Sequence, residues 1–283
     1  MKKTLRRICS FMLVIAMVLA LCPSFLQNVY AEEGDVTSPD PDAEVIASTS
    51  YDDGDAYNQY IWHQDLFYEV AAQVLGAYDT ADAVESAVND GKVVKITHGD
   101  VKNITKFVVA EDSKLTSLYG LSTYLPNMDS IEISSALIGE NELYNMFDSQ
   151  DCLPDLMKHI TIKAHSADDD SEYPQRCRVE ISNSCMDRFT ELETLDIDVD
   201  ECYFYYGDES EFSFPAKLKN LSLAQSKADN IYYDDEYLEK VASAVSKLTN
   251  LQSLNLSGQK FADRVDYTQF ANLIEASSEC VSR

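Results

Sequence analysis

Three aspartates at alternate positions, Asp196, Asp198 and Asp200, form the most chemically suggestive spacing in the chain, because acids at positions 1, 3 and 5 open an EF-hand calcium loop. The rest of that loop is missing. Glu201 stands where the turn glycine belongs, and Gly207 stands where the bidentate glutamate should be. Alternation with Leu195, Ile197 and Val199 accounts for the same acids as the solvent side of a strand. Asp52-Asp53-Gly54-Asp55 fits no EF-hand either. The four histidines, His63, His98, His159 and His165, fall in no HExxH or comparable metal spacing, and no GxSxG, Walker or GxGxxG sequence occurs. Carboxylates are abundant, but nothing singles out a pair for glycoside hydrolysis. No catalytic residue, metal or cofactor is therefore expected.

Charge narrows the partners. The 283 residues hold 49 acids against 22 Lys and Arg, a formal net charge of -27. Phosphate binding needs clustered cations, so nucleic acid and anionic membrane surfaces are poor partners. A neutral or basic partner fits better. The deficit is uneven: residues 32–57 carry nine acids and no base, and residues 164–215 carry fifteen acids against three bases. The first stretch, with Pro39 and Pro41, reads as a disordered acidic leader over 32–59.

Ahead of it, Lys2, Lys3, Arg6 and Arg7 precede an apolar run from Ile8 to Leu21, and Val29-Tyr30-Ala31 suits signal peptidase. Residues 1–31 are therefore expected to be a signal peptide cleaved near Ala31, leaving a secreted or cell-surface chain with no later membrane insertion. Five cysteines would remain, with Cys177–Cys185 the most plausible disulfide.

The elements that must position any site come next. Leu66, Phe67, Val70, Ala71 and Val74 recur at helical spacing, and a second short helix is expected over Thr80–Asn89, stopped by Asp90-Gly91. Together they give a helical segment over 60–103, in which Trp62 and Tyr68 offer either a ligand-stacking platform or, as their spacing favours, part of a buried helix face. From Ile104 a different texture repeats. It includes Leu115-x-x-Leu118-x-Gly120-Leu121, closing on Ile131-x-Ile133, and then Ile160-x-Ile162. It continues as Phe189-x-x-Leu192-x-x-Leu195-x-Ile197, Leu218-x-x-Leu221-x-Leu223 and Leu248-x-x-Leu251-x-x-Leu254-x-Leu256. Each ends in an apolar-x-apolar strand. Over 164–215 the pattern breaks: Ile160–His165 and Cys177–Ser182 read as either a hairpin or strands of one enlarged repeat, and Tyr203–Tyr206 with Glu211–Phe214 is another hairpin candidate. Residues 266–283 are expected to hold a helix or cap.

The Leu115–Ile133 and Leu248–Gly258 stretches resemble bacterial leucine-rich repeats of the internalin-like class, and Ala83–Val109 resembles the helical cap that opens such domains. The resemblance implies an α/β solenoid: a short irregular leucine-rich-repeat array over 104–265 with a helical N-terminal cap and an irregular insertion at 164–215. In that setting the strand residues between apolar positions would share one concave face. The candidate ligand-binding residues there are Glu132, His159, Thr161, Lys163, Asp196, Asp198, Asn220 and Asn255, joined by the aromatic anchors Tyr203 and Tyr205. The resemblance further implies a non-enzymatic recognition or adhesion module that binds a protein or glycan. A polysaccharide-active enzyme or its accessory domain, and a structural spacer of a larger surface protein, remain open alternatives.

Overall fold

Alternation of apolar and polar residues governs the main sheet, and helical spacing governs the segment before it. The computed structural model describes residues 40–136, 143, 146–166, 176–182, 186–205, 212–227 and 235–277. Residues 42–283 form one compact unit, and residues 1–41 fall outside it. The expected signal peptide therefore lies outside the described residues, as do Cys185 and Tyr206.

The segment before the sheet is ordered earlier than its composition suggests. Strand β1 (Val45–Ser48) pairs antiparallel with β2 (Lys95–Thr97) and buries Ala47 completely. Acids that would favour a solvated leader to residue 59 are instead matched by bases brought from later in the chain. Lys95 pairs with Asp53 at 2.8 Å, and Lys102 pairs with Asp42. Helix α1 (Asp55–Trp62) and helix α2 (Gln64–Val74) meet at His63, whose φ of -139° and ψ of 50° break the helical path. Their buried side is Tyr60, Leu66, Phe67, Val70 and Ala71, with the Tyr60 and Phe67 rings edge-on at 5.0 Å. Tyr68 packs on this core, its hydroxyl 3.1 Å from that of Tyr60. Trp62 does not share that burial: it is 79% exposed.

Helix α3 (Ala81–Asn89) starts where the Thr80 hydroxyl accepts from the Ala83 N–H, and it ends at Asp90 before Gly91 at φ +82°. The one-turn helix α4 (His98–Val101) carries a full capping box between Thr97 and Asp100.

Seven parallel strands follow: β3 (Lys106–Val109), β4 (Ser130–Ile133), β5 (His159–Ala164), then, past β6 (Arg178–Ser182), β7 (Thr194–Val199). Beyond β8 (Glu201–Tyr205) come β9 (Asn220–Gln225), β10 (Ser253–Asn255) and β11 (Glu275–Ser277). The sheet runs β11-β10-β9-β7-β5-β4-β3. Helices α5 (Leu121–Tyr124) and α6 (Asp235–Ser246) lie between strands in the chain, and α6 buries Leu238, Val241, Ala242 and Val245.

This architecture corrects the expected α/β solenoid. The finding is a central seven-stranded parallel sheet with flanking helices rather than a leucine-rich-repeat array behind a cap. Repeat arrays need interchangeable units. Here one connection holds the four-residue α5, another the twelve-residue α6, and a third an extra strand of a different sheet. Because the strands enter in chain order, there is also no order reversal of the kind that opens a ligand crevice in doubly wound sheets.

Neither hairpin candidate forms; β6 and β8 instead make one separate two-stranded parallel sheet. Strand β6 pairs with β8 in the register Arg178↔Glu201 to Ser182↔Tyr205. That register buries Val179, Ile181, Cys202 and Phe204 together. Phe212 and Phe214 form no strand. They lie edge-on to Phe204 at 5.6 and 6.5 Å, so their alternation serves an aromatic cluster. Cys177 and Cys202 are buried free thiols, so Cys177 forms no disulfide. The expected C-terminal helix is also absent among the described residues. A 3-10 turn at Tyr267–Gln269, closed by the Asp266 carboxylate on the Thr268 N–H at 3.1 Å, leads instead into β11.

Candidate functional site: the open face of the parallel sheet

One side of the sheet is sealed. Phe107, Val109, Ile131, Ile133, Ile160, Ile162, Leu195, Ile197, Leu221, Leu223 and Leu254 are each at most 1% exposed. Parallel pairing without slippage then puts every intervening residue on the opposite, open side. Two rows cross the strands in register. The first runs Lys106, Ser130, His159, Thr194, Asn220, Ser253 and Glu275. The second runs Val108, Glu132, Thr161, Asp196, Ser222, Asn255 and Ser277. A shorter third row holds Lys163 and Asp198 and ends at the buried Ala224.

Eight of the ten expected binding residues therefore share one surface: Glu132, His159, Thr161, Lys163, Asp196, Asp198, Asn220 and Asn255. Tyr203 and Tyr205 do not join them, because β8 belongs to the other sheet. Tyr203 is engaged there. Its hydroxyl donates to Glu201 Oε2 at 2.7 Å, and the Arg178 guanidinium sits 5.9 Å over its ring. Burial and the Glu201 carboxylate push the Tyr203 pKa up to about 12.

The face has two chemically distinct halves. Toward β3 it is ion-paired across strands: Lys106 Nζ lies 2.7 Å from Glu132, and Lys163 Nζ lies 2.9 Å from Asp196. The hydrogen bond and charge of Asp196 raise the Lys163 pKa, so the ammonium stays charged at neutral pH. Toward β11 the side chains are amides and hydroxyls. Asn220 Nδ2 donates to Thr194 Oγ1 at 3.3 Å, and Asn255 Nδ2 donates to Ser222 Oγ at 3.3 Å. Ser257 Oγ donates to Asn255 Oδ1 at 2.7 Å. An open groove of about 610 Å³ runs over this half, lined by Asp196, Asn220, Ser222, Asn255, Glu275 and Ser277 among others. Such a groove presents donors and acceptors at fixed spacing above a floor that includes Leu221, Leu254 and Ala276.

The sequence reading of 266–283 as a helix or cap does not anticipate the groove's last wall, Glu275 and Ser277 of β11. A signal was present: Phe270-x-x-Leu273-x-x-Ala276 has the spacing of Phe189-x-x-Leu192-x-x-Leu195, which does end in a strand. Asp200 was missed differently. Alternation sends it to solvent with Asp196 and Asp198, yet it is 1% exposed. Its Oδ2 accepts from Ser166 N at 2.9 Å, Ser166 Oγ at 2.5 Å and Cys177 N at 2.9 Å. Its Oδ1 faces Ser226 Oγ at 3.3 Å, Lys227 Nζ at 3.4 Å and His165 Nδ1 at 3.6 Å. Burial alone would raise its pKa. The hydrogen bonds from Ser166 and Cys177 and the Lys227 charge outweigh burial and hold the value at about 2. Asp200 thus ties the segments after β5, before β6 and after β9 to the end of β7. His165 Nε2 lies 3.2 Å from Asp198, which joins this buried centre to the rim of the open face.

No three or more His, Cys, Asp or Glu side chains are grouped to hold a metal ion among the described residues. No family model matches the chain, and no curated protein matches it.

Proposed function

We propose that the chain is an exported recognition or adhesion module that binds a protein or glycan partner through the open face of its parallel sheet, without catalysis. The observation that carries this reading is the groove over β7, β9, β10 and β11. There amides, hydroxyls and the Asp196 and Glu275 carboxylates stand in register on a rigid sheet. Fixed polar spacing of this kind suits many modest hydrogen bonds to an extended polar ligand, and the two carboxylates favour a neutral or basic one. Export follows from the signal-like residues 1–31, with cleavage near Ala31 and a secreted or cell-surface destination.

The test is a triple variant, Asp196→Asn, Asn220→Ala and Asn255→Ala. All three side chains are at least partly exposed, so the fold should survive. Binding of the purified protein to cells and to protein and glycan arrays should fall at least tenfold, with circular dichroism unchanged. Unchanged binding would remove the open face from the reading. Turnover of any glycan or peptide on the arrays would overturn its non-enzymatic part.

A further inference from the structure

A second surface, on the helices before the sheet, has a different chemistry. The single Trp of the sequence, Trp62, ends helix α1 and is 79% exposed. Beside it are Ile61, 43% exposed, and Tyr119, 48% exposed, from the loop that precedes α5. Scattered exposed apolar residues are ordinary, but these line one groove of about 430 Å³. That volume lies within the usual range of small-molecule clefts, about 300–1,000 Å³.

The groove is held in shape. The His63 and Tyr119 rings lie 5.5 Å apart at 40°. Gly120 follows with φ +92°, and a Cβ there would come within 3.0 Å of His63 Cδ2 and 3.3 Å of Gln59 Nε2. The loop can approach the helices this closely only because residue 120 is glycine. Two further bonds fix the loop: the Tyr119 N–H donates to Ser117 Oγ at 3.1 Å, and Thr116 Oγ1 donates to Asp65 Oδ2 at 3.3 Å across to α2. Gly120 N and Ser122 N both donate to the Asp151 carbonyl at 3.1 Å.

We propose that this groove is a carbohydrate subsite, separate from the open face, in which Trp62 and Tyr119 stack on the apolar faces of a neutral saccharide. A pyranose offers two apolar C–H faces ringed by hydroxyls. The groove offers the complement: exposed rings, with Gln64, Asp65, Thr116 and Ser117 at its rim. Charge selects the class. The rim holds the Asp65 carboxylate and no Lys or Arg. Burial holds the His63 pKa below its ordinary value, against the raising effect of Asp151, so the ring is neutral at pH 7. Sulfated, phosphorylated and uronate sugars are therefore disfavoured. A proline-rich peptide also stacks on aromatic grooves, but it needs few side-chain hydrogen bonds, whereas this rim is dense in them.

Because Trp62 is the only Trp, its fluorescence reports the site directly. The full-length chain is titrated with neutral hexose and N-acetylhexosamine oligomers up to millimolar concentration, and with a proline-rich peptide. A saturable fluorescence change with at least one oligosaccharide is expected. Calorimetry should then show affinity reduced at least tenfold in both Trp62→Ala and Tyr119→Ala, and less in Trp62→Phe, which keeps a ring. Exposure of both residues means that folding should be unaffected, as circular dichroism would verify. The open-face triple variant should bind these oligomers normally, so the two sites fail independently. Silence toward every oligomer, a response to the proline-rich peptide alone, or binding that survives both alanine variants would each overturn the proposal.

Discussion

Replacing Asp200 by Asn tests whether one buried carboxylate ties the sheet's irregular middle together. The substitution keeps shape and removes charge. Burial raises the Asp200 pKa, but hydrogen bonds from Ser166 and Cys177 and the Lys227 ammonium depress it further, from 3.8 to about 2. At roughly 1.4 kcal/mol per pKa unit this corresponds to about 2 kcal/mol of native-state stabilisation at neutral pH. The amide adds a second cost. Three donors converge on Oδ2, while Lys227 and Ser226 face Oδ1. Whichever way the Asn is turned, its NH₂ opposes a donor, for about 1 kcal/mol more. Asp200→Asn should therefore lose about 3 kcal/mol at pH 7 in urea unfolding followed by circular dichroism.

The pH dependence is the sharper test. A carboxylate whose folded pKa lies below its unfolded value stabilises the fold above the unfolded pKa and loses that contribution as pH falls through the folded one. The window here is about pH 4 down to about 2. The gap between native protein and variant should narrow by about 1 kcal/mol from pH 6 to pH 3, whatever the other carboxylates do, since both proteins share them. A gap that does not change with pH, or one below about 0.5 kcal/mol at pH 7, would refute the assignment.

Two further substitutions probe the backbone. Gly258→Ala would place a Cβ 2.1 Å from the Gln225 carbonyl oxygen at φ +77°, whereas Gly76→Ala, at φ +59°, meets nothing within 4 Å. Thermal unfolding should cost Gly258→Ala more than about 3 kcal/mol and Gly76→Ala only the left-handed strain of about 1–2 kcal/mol; equal losses would refute the close-approach reading. Thr97→Ala removes the capping-box acceptor of the Asp100 N–H. It should lower Tm by about 2–4 °C, matching a cap worth about 1 kcal/mol, and no change would show that the box is idle.

How far the sequence could be read depended on the range over which each feature is decided. The open face was legible because alternation is local. Leu195, Ile197 and Val199 turned inward leave Asp196 and Asp198 outward in any strand. Helix α3 was legible because Thr80 and Gly91 bracket it. The pairing of β6 with β8 was not, because Arg178 meets Glu201 only through contacts set elsewhere in the fold. Asp200 escaped for a related reason. At the end of β7 the alternation still reads outward, but the segments carrying Ser166 and Cys177 close over it, and nothing near residue 200 announces them. The acidic stretch before Asp55 misled through composition. Its acids looked unmatched because Lys95 and Lys102, which pair with Asp53 and Asp42, lie more than forty residues away.

The same distinction explains why the two halves of the open face should contribute differently to binding. Exposed ion pairs such as Lys106–Glu132 and Lys163–Asp196 contribute only about 0–1 kcal/mol each to the fold, yet a partner covering them must desolvate both charges. In the groove, the Asn220–Thr194 and Asn255–Ser222 hydrogen bonds are long, at 3.3 Å, and neutral. A ligand that supplies its own donors and acceptors there exchanges weak neutral bonds for better ones and meets an ion pair only at Asp196, on the groove's inner edge. The end of the sheet with the least conspicuous side chains is thus the end where the open face gives up least to bind. The ion-paired end is better suited to orienting a partner than to holding it.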